Sequence, residues 1–127
     1  ANPCFGQAHF NLAMSWFKLK RWEEAFDSLA QAQQLGIADL DRDAREGARP
    51  GLQEALAAKD YAQANRITQY LLKVVVETAQ DAYTQGHYTE QLGDTQTARI
   101  HYQRALSLDP GHRETLSALE RIGNGVR

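Results

Sequence analysis

The feature that most restricts this chain is a ladder of apolar and small residues that occurs three times with one spacing. Trp22, Ala25, Leu29, Ala32 and Leu35 follow one another in steps of 3, 4, 3 and 3 residues, and Tyr61, Ala64, Thr68, Leu71 and Val74 repeat those steps, as do Thr95, Ala98, Tyr102, Ala105 and Leu108. Steps of three and four line one face of an α-helix, whereas a half-buried strand requires a step of two. Three helices of common design are therefore expected. Each follows a short polar turn, Lys20-Arg21, Lys59-Asp60 or Gly93-Asp94. Asp60 and Asp94 suit the N-cap position, because a carboxylate accepts from the free first-turn amides and meets the positive end of the helix dipole.

Upstream of each turn lies a second apolar periodic segment: Phe10, Leu12, Ala13, Trp16, Phe17 and Leu19 in the first, Leu52, Ala55 and Leu56 in the second, Ala82, Tyr83, Gly86, Tyr88 and Leu92 in the third. The unit is thus a helix hairpin, with an alanine (Ala25, Ala64, Ala98) early in the second helix that lets the axes approach to about 8 to 10 Å. These alanines lie 39 and then 34 residues apart, which places five extra residues within Ile37 to Gly51. Proline inside a helix removes a hydrogen bond and clashes with the preceding turn. A break or kink is expected near Pro50, with Asp39 to Glu46 forming an extra helical turn or two before it. After Asp109-Pro110-Gly111, His112 to Ile122 reads as a final helix with Leu116, Leu119 and Ile122 facing inward, Glu114, Glu120 and Arg121 facing out, and Gly123-Asn124-Gly125 ending it. The expected fold is all-α: a solenoid of three antiparallel helix hairpins (repeats about 6–36, 45–77 and 79–110) plus a C-terminal capping helix (112–122), in one domain spanning 1–127.

Composition narrows the function. A formal charge of -2 on 127 residues supplies no broad positive field for a phosphate backbone, so no nucleic acid partner is expected. The longest apolar run, Tyr70 to Val76, is interrupted by Lys73 and is far shorter than the roughly 20 residues needed to cross a bilayer, so no membrane span is expected. The first ten residues have neither a basic start nor an apolar stretch and read as no secretory signal. Cys4 is the only cysteine, which rules out an internal disulfide and points toward a reducing, cytoplasmic compartment. His9, His87, His101 and His112 have no His or Cys at a three- or four-residue step, so no metal is expected. Cys4 and His9 lack a third orienting group for thiol chemistry. Gly86 and Gly93 are explained by helix packing and a turn, and Glu23, Glu24 and Asp27 by the favourable dipole of a helix start. No catalytic set and no cofactor are expected.

Two of the units carry a family resemblance. His9-Phe10-Asn11-Leu12-Ala13 through Trp16, Ala25 and Ala32, and Gly86 through Gly93-Asp94, Ala98, Tyr102, Ala105-Leu106 and Asp109-Pro110, resemble the tetratricopeptide repeat, a 34-residue antiparallel helix pair. The middle unit departs from it at Pro50-Gly51-Leu52 and at Thr68. Pro3 stands six residues before His9 as Pro110 stands six before Leu116, so residues 1–3 read as the tail of a preceding repeat and the chain as an excerpt from a longer array. The resemblance implies a protein-interaction scaffold that binds a peptide or helix in a concave groove lined by the first helix of each pair. Its candidate contact residues are Gln7, Phe10, Asn11, Met14, Phe17 and Lys18 in the first unit, Arg49, Gln53 and Leu56 in the second, and Tyr83, Thr84, His87 and Gln91 in the third. A second possibility is a structural segment that stacks on further repeats or self-associates, with Phe10 and Phe17 in the seam. The chaperone-tail clamp known in the family is disfavoured, because Phe10, Met14, Pro50, Gln80 and Thr84 occupy its positions and none is cationic. An RNA-reading groove is disfavoured too, since only Lys18 and Arg49 are basic there.

Overall fold

The computed structural model describes residues 3–125, with side chains from 5 to 123. The described residues form seven α-helices and no strand, so the chain is all-α. They fall into two compact units that divide after Val76. The first contains α1 (Pro3–Lys18), α2 (Trp22–Gln34), α3 (Asp41–Ala57) and α4 (Tyr61–Leu71), and the second α5 (Ala79–Gln91), α6 (Thr95–Leu108) and α7 (Arg113–Gly125). Residues 1–2, which belong to the expected tail of a preceding repeat, lie outside the described residues, as does the side chain of Cys4.

The repetition in the sequence is matched by a repetition in the backbone. Where α1 meets α2, the N–H of Arg21 donates to Trp16 O (3.0 Å) and that of Lys20 to Phe17 O (3.1 Å). Asp60 to Ala55 (2.8 Å) and Lys59 to Leu56 (3.1 Å) reproduce the pattern between α3 and α4, and Asp94 to Thr89 (3.0 Å) and Gly93 to Glu90 (2.9 Å) between α5 and α6. This is the paired closure of a Schellman turn, which needs one left-handed residue. Lys20, Lys59 and Gly93 occupy it at φ 60, 57 and 87°. The next residue starts the second helix, and Asp60 and Asp94 cap it as expected, accepting from Gln63 N at 3.1 Å and Thr97 N at 3.0 Å. So short a connection leaves the two helices side by side, and α1 packs on α2, α3 on α4 and α5 on α6.

In the first unit the core gathers Ala13, Phe26, Leu29, Ala32, Leu40, Ala44, Ala48, Ile67 and Leu71. Full burial of Phe26, Leu29 and Ile67 contributes about 1.5 to 3 kcal/mol each. Ala25, Ala64 and Ala98 are completely buried at the hairpin contacts, in keeping with the close approach that a small side chain permits.

Several expectations are corrected. There is no break at Pro50: α3 is helical from Asp41 through Ala57, and the extra turns expected within Asp39 to Glu46 form its first part. The glycines that flank the proline serve packing. A Cβ on Gly47 would lie 2.7 Å from Cζ of Phe17, and one on Gly51 2.8 Å from Cε2 of Trp22, so bare backbone is the surface on which these rings rest. α1 already begins at Pro3; its Leu12, and Leu19 in the turn after it, are exposed. Leu108, the last rung of its ladder, and Leu92 are exposed as well. The final helix runs 113–125 and not 112–122, and its buried face is Thr115, Ala118 and Ile122, with Leu119 packed beside it and Leu116 46% exposed.

Candidate functional site

Two concavities open to solvent on the first helices of pairs, one in each unit. In the first unit Met14, Phe17 and Lys18 of α1 face Asp43, Glu46, Gly47 and Pro50 of α3 across a volume of about 330 Å³. Because Gly47 has no side chain, the Phe17 ring lies against α3 and forms part of the floor. That ring is fixed from behind by an edge-on contact with Phe26 (centroids 5.1 Å, 84°) and by Trp22 at 6.4 Å. Met14 is half-buried and also rests on the core, whereas Lys18 is exposed. Of the two carboxylates, Glu46 accepts from the exposed Arg42 Nε at 3.3 Å, and Asp43 has no hydrogen bond or ion pair among the described residues.

In the second unit Tyr83 of α5 faces Arg113, Glu114, Ser117, Ala118 and Arg121 of α7 across about 340 Å³. Tyr83 is held in a group of rings, with Tyr102 and His112 each 5.7 Å away and His87 at 6.4 Å, nearly parallel. Partial burial, and then the negative charge of Glu114, raise its phenol above the ordinary tyrosine range. Behind it, Glu90 accepts from Tyr102 O–H at 2.7 Å and from Arg121 Nη2 at 3.0 Å, with a second contact to Nη1. The bond to Arg121 holds the Glu90 carboxyl below its usual range, and burial followed by the bond to Glu90 pushes the Tyr102 phenol up. Arg121 is thus committed to α5, while Arg113 has no partner among the described residues. His112 joins the two walls through Thr115 Oγ1 (2.8 Å from Nδ1) and Gln80 Oε1 (3.1 Å from Nε2). With the amide oxygen toward Nε2, that nitrogen donates and Nδ1 accepts from the threonine hydroxyl.

A second polar group in this unit stands apart from the concavity. Arg104 donates to Glu77 through Nε (2.6 Å) and Nη2 (3.2 Å), and Nη2 also lies 2.7 Å from His101 Nδ1. Nδ1 must accept there, and burial together with the neighbouring guanidinium lowers the imidazole pKa. Among the described residues no group of three or more His, Cys, Asp or Glu is placed to hold a metal ion, and no helix is long and apolar enough to cross a membrane.

Of the residues singled out from the sequence, Met14, Phe17, Lys18 and Tyr83 line the concavities. Phe10 is half-buried on the core, and Asn11 is exposed, accepting from Gln7 Nε2 at 3.0 Å. Arg49, Gln53 and Leu56 are exposed on α3, and Thr84 and His87 are half-buried and Gln91 exposed on α5. Sequence reasoning missed the opposite wall in each case. Asp43 and Glu46 were assigned to an extra turn before a break near Gly47 and Pro50, and Arg113, Ser117 and Ala118 to a cap. The signal that could have found the first wall is the four-residue step from Gly47 to Gly51, which marks one helical face open to close approach.

No protein-family model matches the chain, and no curated protein matches it significantly.

Proposed function

We propose that the helix pairs are tetratricopeptide-like repeats stacked as a solenoid, and that the chain is an interaction scaffold holding a peptide or helix of a partner protein against the first helices of its pairs. The observation that carries this reading is the position of the two concavities. Each has one wall from the first helix of a pair, α1 or α5, and the other from the helix that begins the next unit of the pattern, α3 or α7. The Schellman turn repeated at Lys20, Lys59 and Gly93 supports the repeat assignment. Concave, partly apolar surfaces with a few polar groups at the rim are the usual sites of ligand and peptide docking.

The test fills the concavities without removing a core contact. Pro50 and Ser117 are exposed lining residues, so Pro50→Trp and Ser117→Trp add bulk to each site. Tyr83→Ala is the poorer tool, because the Tyr83 ring packs on Tyr102 and His112 and its loss also destabilises the unit. The double tryptophan variant should lose the proteins that the wild-type chain captures from a lysate while staying folded and melting no lower than the wild type. Undiminished capture by a folded double variant contradicts the reading.

A second reading, that the helix pairs stack on further pairs or on another copy, is favoured by the outer face of α1. On α3 the residues Ala44, Ala48, Gly51 and Ala55 are all buried, whereas Phe5 and Leu12, which stand 39 residues before Ala44 and Gly51, are 60% and 45% exposed. Sedimentation over a range of concentration distinguishes self-association from a monomer with this face free.

A further inference from the structure

We infer that the concavity between α1 and α3 receives a large apolar side chain whose neighbour in the partner is lysine or arginine. This rests on the interaction reading above and adds the chemistry of the partner. The floor consists of Met14, Phe17, Gly47 and Pro50, none of which offers a polar side-chain atom, so what fills it must be apolar. Its rim is charged unevenly. The α3 wall carries Asp43 and Glu46, and the α1 wall carries Lys18.

Asp43 lies four residues before Gly47, and Glu46 four before Pro50, so each carboxylate stands about one helical turn from an apolar floor position on the same face. Among the described residues Asp43 has no hydrogen bond or ion pair. Among the described residues Glu46 pairs with Arg42 alone, whose side chain is 86% exposed, and such a pair is readily screened and exchanged. An incoming cation beside the apolar anchor therefore meets two carboxylates that no described residue holds firmly. An incoming phosphate or acidic side chain meets repulsion at the same place. Lys18 on the opposite wall repels a second cation and attracts a carboxylate, which fixes the direction in which the partner lies. The occupant is thus a basic-apolar protein segment.

The experiment selects phage-displayed random dodecapeptides on the full chain and retests the recovered peptides, as synthetic molecules, on Pro50→Trp and on Asp43→Asn with Glu46→Gln. Expected are peptides that fail to bind Pro50→Trp, carry Lys or Arg within two positions of a large apolar residue, and bind about tenfold more weakly to the amide variant. Exchanging the peptide's basic residue for glutamate should weaken binding to the wild type, and Asp43→Lys should restore it, which guards against a variant that has merely lost its fold. Peptides sensitive to Pro50→Trp but indifferent to Asp43 and Glu46, or acidic beside the anchor, overturn the inference and leave the concave-face reading standing. Recovery of no Pro50→Trp-sensitive peptide counts against both.

Discussion

Replacing Gly86 with alanine places a methyl carbon 2.4 Å from Cε1 and 2.6 Å from Cδ1 of Tyr102, distances that no relaxed structure keeps. The tyrosine has little freedom to yield. Its ring is completely buried against Ala98, Ala118 and Ile122, and its hydroxyl is tied to Glu90 at 2.7 Å. In a helix interior alanine is favoured over glycine by about 1 kcal/mol, which acts in the variant's favour. Against it stand overpacking, at about 1 to 3 kcal/mol, and, if the ring swings aside, loss of a hydrogen bond to a charged acceptor worth about 1.5 to 3 kcal/mol. The net expectation is a destabilisation of about 2 to 4 kcal/mol. Urea unfolding followed by helical circular dichroism measures it. Gly123→Ala, where nothing lies within 4 Å of the new carbon, is the control and should be neutral or stabilising by up to about 1 kcal/mol. A Gly86→Ala protein as stable as the wild type would refute the packing described for α5 and α6.

Because α3 continues through an exposed Pro50, Pro50→Ala should restore a helical hydrogen bond and stabilise the chain by about 1 to 3 kcal/mol in the same assay; a loss of stability would mean that the proline is needed. Lys59 sits in the left-handed region at φ 57° without a glycine's freedom, so Lys59→Gly should stabilise by about 0.5 to 1 kcal/mol, and a destabilised variant would contradict the turn geometry. The pH profile of unfolding should show two acid losses. His101 binds its proton less tightly in the folded chain, because of burial and then Arg104, so its contribution is complete above the ordinary imidazole value of 6.5 and declines as the pH falls from there toward the lowered folded value. Glu90, lowered by Arg121, contributes fully above 4.5 and loses that contribution as the pH falls through its folded value. His101→Gln should flatten the first step and Glu90→Gln the second, and a profile unchanged by both would contradict these environments.

The helix pairs were legible because their buried faces follow the three- and four-residue step, and Ala25, Ala64 and Ala98 are fully buried, as small residues marking those faces should be. The caps at Asp60 and Asp94 were legible for the same local reason. A further cap was equally readable and was passed over: Thr78 and Asp81 exchange hydrogen bonds at 3.2 and 2.9 Å, in the spacing of a capping box. The cluster Gly47, Pro50 and Gly51 misled because local propensity predicts a break there. Tertiary contact overrides it, since Phe17 and Trp22 require glycine opposite them and Pro50 points outward. Leu116 misled through its apolarity alone; the helical face that is buried holds Thr115, Ala118 and Ile122, and the spacing does not reveal which of two adjacent stripes meets α6. Of the candidate site, the residues on α1 and α5 were legible from the implied groove, but the facing walls on α3 and α7 depend on contacts between residues far apart in sequence.

Met14 is the chain's single methionine, and it lies on the floor of the α1–α3 concavity. A chain labelled with 13C at the methionine methyl therefore gives one resonance, from a side chain that lines that surface. Titration with a partner or selected peptide that binds the chain should shift or broaden this resonance in proportion to the bound fraction, and Pro50→Trp should abolish both the binding and the change. A methyl resonance that stays in place at saturating partner, with the Pro50→Trp chain binding as well as the wild type, would contradict the claim that this face holds a partner.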